Sequence, residues 1–86
     1  MVSSMKFQIG DLLIPVPGRW REGRGFGNSQ SGIVVRIGGT SHYMGRDFCY
    51  VRIRWTRKDG SHWFERAYDD YLYNCIVAGD LRLVTV

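Results

Sequence analysis

The sequence has only two cysteines and two prolines, few acids between residues 19 and 66, and no long apolar run. Each shortage excludes something. Without a stretch near the roughly 20 apolar residues that cross a bilayer, no membrane span is expected. Met1 to Lys6 lacks the apolar segment of a secretory signal, so the expected location is the cytoplasm. Cys49 and Cys75 are too few for the disulfide framework of a small secreted domain. Both are expected as reduced thiols in buried, apolar places. His42, Cys49, His62 and Cys75 are scattered, with no Cys-x-x-Cys or closely paired histidines, so no metal site is expected.

Catalytic equipment is equally sparse. Gly23-Arg24-Gly25-Phe26-Gly27 lacks the Gly-Lys-Ser/Thr ending of a phosphate loop. A dinucleotide fingerprint would open a helix, whereas a strand follows here. Asp69-Asp70 has no second acid in view and reads as a turn cap. Cys49 falls on the expected inner face of its strand, a poor place for an ionised nucleophile. Neither an enzyme nor a cofactor is expected.

What the chain does have is 86 residues, 44% hydrophobic and 14% aromatic, which suits one small domain with one core over residues 1–86. Charge is unevenly spread. Ten Lys/Arg against four acids give the stretch from Arg19 to Arg66 a charge of +6, within a net charge of +4. A basic middle suits an anionic partner such as nucleic acid; an Arg-rich solvated surface is the plainer reading.

Short β-type runs alternate with glycine-rich breaks. Phe7, Ile9 and Asp11 to Ile14 form a first expected strand, stopped by Pro15 and Pro17. A long loop from Gly18 to Gly32 follows. Ile33 to Ile37 is the second strand, with Ile33, Val35 and Ile37 on one face and Val34 and Arg36 on the other. Gly38-Gly39 is expected to end it, and Thr40 to Asp47 to form a loop. Phe48 to Thr56 carries the clearest signal: Cys49, Val51, Ile53 and Trp55 alternate with Tyr50, Arg52, Arg54 and Thr56. Arg57-Lys58-Asp59-Gly60 reads as a tight turn into a fourth strand, Ser61 to Arg66. Ala67 to Ala78 is ambiguous, with a helical turn capped by Asp69 or Asp70 and carrying Leu72, Cys75 and Ile76 as one option. Leu81 to Val86 is the last strand. The expected class is therefore all-β: a small five-stranded SH3-like barrel with a long first loop and a short helical turn before the last strand. A five-stranded OB-fold competes less well, since it usually places a helix between the third and fourth strands.

Gly10-Asp11-Leu12-Leu13, Gly32-Ile33-Val34-Val35, Val51-Arg52-Ile53-Arg54-Trp55 with Asp59-Gly60, and Leu81-Arg82-Leu83-Val84 follow in an order that resembles Tudor/KOW-type SH3-like barrels. The likeness is to the small single-domain versions among uncharacterised bacteriophage proteins. It implies binding of nucleic acid or protein, and a host cytoplasm if the chain is phage-encoded. The first loop is longer and more basic than in that pattern, and Ala67 to Asp80 is an insertion.

If the third strand turns its aliphatics inward, Tyr50, Arg52 and Arg54 face out, joined by Arg36 from the second strand. Guanidinium groups pair with phosphate and stack on bases, and Tyr50 adds a ring. Arg19, Arg21 and Arg24 in the first loop complete the expected nucleic-acid surface. Trp63 and Phe64 must point to opposite faces, so at most one is core. Trp20, Tyr43 and Trp63 are the candidate aromatic contacts, with core or rim packing as the plainer reading. A protein-interaction adaptor and a homo-oligomer built through an edge strand remain the alternatives.

Overall fold

Val51, Ile53 and Trp55 are buried while Arg52 and Arg54 between them are exposed. That alternation forms the middle of the strand Arg46–Arg57, β3, around which the other strands assemble. The computed structural model describes residues 7–17, 29–43 and 45–85, with residues 40–43 and 46 described by their backbone alone. Its remaining elements are the strands β1 (Leu12–Pro15), β2 (Ser29–Tyr43), β4 (His62–Tyr68) and β5 (Leu81–Val84), and the helix α1 (Asp69–Val77). The fold is all-β in character. Every neighbouring pair in the five-stranded sheet is antiparallel, in the order β4-β3-β2-β1-β5.

One face of this sheet carries the core. Leu13, Val34, Val51, Ile53, Trp55 and Leu81 contribute from the strands, and Leu72 and Cys75 from α1. The Trp55 ring stacks near Trp63, with centroids 6.1 Å apart, and its indole N–H donates to Glu65 Oε1 at 2.8 Å. A buried donor is thereby satisfied, and one of the few acids of the basic stretch is spent on the inner side.

β1 begins later than its apolar residues suggest. Gln8 to Asp11 forms a turn instead, in which the buried Asp11 accepts the Gln8 amide at 2.8 Å and Gly10 takes a φ of +98°. Ile9 consequently lies 68% exposed, outside any strand. Pro15 is included as the last residue of β1, beyond the two residues that pair with β2.

The largest departure from expectation is β2. It runs for 15 residues, taking in Ser29 to Gly32 from the expected loop and continuing through Gly38-Gly39 to Tyr43. Three irregularities, at Ser29/Ser31, Val34/Arg36 and Gly38/Thr40, let it keep pairing with β3 along this length. Gly39 absorbs the last with a φ of +70°, a conformation that favours glycine. The middle one leaves Val35 as the extra residue and shifts the phase. Val34 opposite Ile53 and Ile37 opposite Val51 both face the core, while Arg36 opposite Arg52 faces out. The expected sharing of a face by Val34 and Arg36 is thus broken by the bulge.

Cys49 also departs from expectation. Its row, opposite Thr40, lies past Ile37–Val51, the last row of β2 and β3 packed on the core, and past the end of β4 pairing. Cys49 is exposed and Cys75 buried, and neither forms a disulfide.

The β3–β4 turn follows the Asp-Gly signal. Gly60 takes a φ of +89° and donates to the Arg57 carbonyl, while Asp59 Oδ1 accepts the amide and hydroxyl of Ser61. In the ambiguous segment, α1 buries Leu72 and Cys75, and Ile76 packs against the core. Neither aspartate is its cap: Tyr68 holds that position, and Asp69 and Asp70 lie in the first turn, where carboxylates suit the helix dipole. Gly79, with a φ of +86°, closes the far end, as Gly79 and Asp80 donate to the carbonyls of Ile76 and Cys75. α1 packs against β3, β4 and β5, so it touches both ends of the strand order. Among the described residues no helix is long and apolar enough to cross a membrane.

Candidate functional site

With Val51, Ile53 and Trp55 committed to the core, β3 presents Tyr50, Arg52, Arg54 and Thr56 on the opposite face. Pairing with β2 and β4 extends each into a row. The rows are Ser31–Thr56–His62, Ile33–Arg54–Phe64, Arg36–Arg52–Arg66 and Gly38–Tyr50–Tyr68. Neighbouring rows are separated by two residues, about 6.7 Å along the strand. None of these positions is an Asp or Glu.

The third row places three guanidiniums side by side on adjacent strands. All three residues are exposed, and arginine stays charged at any working pH. Like charges directly opposite one another cost about 0.2–1 kcal/mol per pair. Part of that is offset locally. The Arg66 guanidinium lies over the Tyr50 ring at 4.5 Å, and that of Arg52 over Phe64 at 4.9 Å. Cation–π contacts at exposed sites are worth about 0.5–1 kcal/mol, so the row persists but gains no net stability from its own arrangement.

A recess of about 250 Å³ opens beside the row, walled by Arg36, Tyr50, Arg52 and Arg66. Gly38 and Gly39 also line it, and a Cβ at Gly38 would meet nothing within 4 Å. No carboxylate lines it among the described residues. At its rim Tyr50 stacks on Tyr68, with centroids 4.8 Å apart and an interplanar angle of 25°, and the two phenol oxygens lie 3.2 Å apart. Phe48 tilts against Tyr68 at 5.3 Å and lines, with Tyr71, Asp70 and Asn74, a second hollow where β4 runs into α1.

Of the residues singled out from sequence, Arg36, Tyr50, Arg52 and Arg54 come together on this face. Arg19, Trp20, Arg21 and Arg24 lie outside the described residues, as does the side chain of Tyr43. Trp63 is turned toward the core, where its indole N–H donates to Ser29 Oγ at 2.9 Å; Phe64 is its outward counterpart, 54% exposed. Arg66, Phe64 and Tyr68 are site residues that sequence reasoning did not select. Period-2 alternation along β4 marks all three, once that strand is carried to Tyr68 instead of stopping at Arg66.

Among the described residues no group of three or more His, Cys, Asp or Glu is placed to hold a metal ion. Compared with known proteins, the chain matches no family model, no curated protein and no solved structure.

Proposed function

We propose that this chain is a non-catalytic binding module that takes nucleic acid on the outer face of β2, β3 and β4. One observation carries the reading: Arg36, Arg52 and Arg66 form a transverse row, and neither it nor the three other outward rows described above includes an Asp or Glu. Such a row is an electrostatic liability in the free protein, and bound phosphate would relieve it. Arg19, Arg21 and Arg24, which lie outside the described residues, belong to the same proposed nucleic-acid-binding set.

The same proposal includes the architecture. The strand order β4-β3-β2-β1-β5 and the packing of α1 against β3, β4 and β5 support a sheet wrapped as an SH3-like barrel of the Tudor/KOW type. A phage origin and a cytoplasmic location belong to this reading as well.

Phosphate contact would dominate affinity and sequence selectivity would be slight. A fluorescence anisotropy titration against labelled DNA and RNA at low salt tests it. Binding should weaken steeply as salt rises, with a log–log slope of about −0.7 to −0.9 per phosphate neutralised. Absence of binding to any nucleic acid at low salt ends the proposal. A protein partner is the second reading, favoured by the exposure of Phe64 and Tyr68, since exposed aromatics concentrate binding energy at interfaces. Affinity capture that recovers one protein, unchanged by nuclease, would support it.

A further inference from the structure

We propose that the outer face selects a single strand over a duplex, with bases laid on Phe64 and Tyr68 and the phosphates between them on the arginine row. The inference rests on the nucleic-acid reading above and adds strandedness and a path.

Along β4 the outward residues run Phe64, Arg66, Tyr68, so a cation stands midway between two rings. The rings are four residues apart, about 13 Å on an extended chain. Phe64 is 54% exposed and Tyr68 38%. Core packing does not account for that exposure, because Trp63 and Ala67 are the β4 residues that face the core. The Arg52 guanidinium lies over Phe64, and Tyr68 has Tyr50 stacked on it and Phe48 tilted against it. What remains exposed of each ring offers a base a planar apolar surface.

The two forms of nucleic acid would use this face differently. A duplex hides its base faces within its own stack and offers a protein mainly phosphates and groove edges. That would engage Arg36, Arg52 and Arg66 but leave both rings idle. A strand with unstacked bases offers planar faces and phosphates together, and every base has such a face, so stacking tolerates any sequence. Only the single strand satisfies the aromatic–cation–aromatic order. The recess beside Tyr50, lined in part by Gly38 and Gly39, gives a phosphate room to approach the three guanidiniums.

The test compares labelled oligothymidylate, oligouridylate and a duplex of equal phosphate count at one ionic strength. Either single strand should bind at least about tenfold more tightly than the duplex. Phe64→Ala and Tyr68→Ala should each lower single-strand affinity by about fivefold or more and leave duplex affinity unchanged. Tyr68→Phe, which keeps the ring, should retain it. Thermal melts of the variants, with Phe64 and Tyr68 already exposed, confirm that each is folded. Equal affinity for strand and duplex, or aromatic variants that bind like the parent while Arg52→Gln still weakens binding, would overturn the strand selection and leave the nucleic-acid reading standing. If the parent protein binds none of the three probes, both fall.

Discussion

The six-membered ring of Trp55 lies directly against the backbone of Gly32, so close that a Cβ there would come within 2.5 Å of Cε3. Gly32 pairs with Trp55 across β2 and β3, and the missing side chain is the space the indole fills. The same Cβ would reach Ile53 Cγ2 at 2.8 Å, so neither neighbour can yield without disturbing the core. Gly32→Ala should therefore destabilise the protein by about 1–3 kcal/mol, although alanine suits strands no worse than glycine. Urea unfolding followed by tryptophan fluorescence reads this; an unchanged midpoint would contradict the packing described.

Removing a charge from the arginine row should have opposite effects on stability and binding. Arg36 stands at the end of the row, facing Arg52. Arg36→Gln should raise stability by about a few tenths of a kcal/mol at low salt. The gain should shrink as salt screens the exposed charges. Nucleic-acid affinity should fall in the same variant. Melting curves at two ionic strengths and a binding titration check both halves, and a Tm that drops at low salt would remove the argument that the row is a liability.

Filling the recess offers a test that leaves every charge in place. Gly38 is exposed and lies in β2, and a Cβ added there meets nothing within 4 Å. Gly38→Val should be neutral or stabilising by about 0.5–1 kcal/mol, since glycine weakens a strand interior. Phosphate access beside Tyr50 should nevertheless be blocked and affinity reduced severalfold. Normal binding by a stably folded Gly38→Val protein would show that the recess is not used.

Acid should loosen the β3–β4 turn. The Ser61 hydroxyl and amide, donating to Asp59 Oδ1 at 2.6 and 2.9 Å, hold its carboxyl below the usual value, with lesser help from Arg57. A carboxyl depressed on folding stabilises above its unfolded pKa, about 3.9. That contribution is lost as the pH falls through the lower folded value. A carboxyl-carbon NMR titration should find Asp59 below the ordinary aspartate range and Ser61→Ala should move it upward. A midpoint that stays put in Ser61→Ala would show that the serine is not its cause.

How far the sequence revealed this site depended on where its alternation stayed regular. β3 was legible because Val51, Ile53 and Trp55 interleave with arginines without interruption, and Asp59-Gly60 marks its end. β2 was not, because bulges carry no residue-type signature in a run such as Ile33-Val34-Val35. One extra residue there reverses which aliphatics face inward. Gly38-Gly39 resembled a strand end for the same reason: glycine serves both turns and bulges. Tyr68 stayed hidden because it sits at the seam where period 2 gives way to α1, and Phe64 because alternation alone left open which of Trp63 and Phe64 faces out.

The two sulfhydryls occupy opposite situations, and that makes them a built-in gauge. Cys49 is exposed one residue from Tyr50, while Cys75 is buried on the core side of α1. A colorimetric disulfide reagent should titrate one equivalent promptly and the second only as fast as the helix lifts away. The slow phase would then report the opening equilibrium of that lid, and a fluorophore on the prompt one would sit at the margin of the arginine ladder without disturbing the interior.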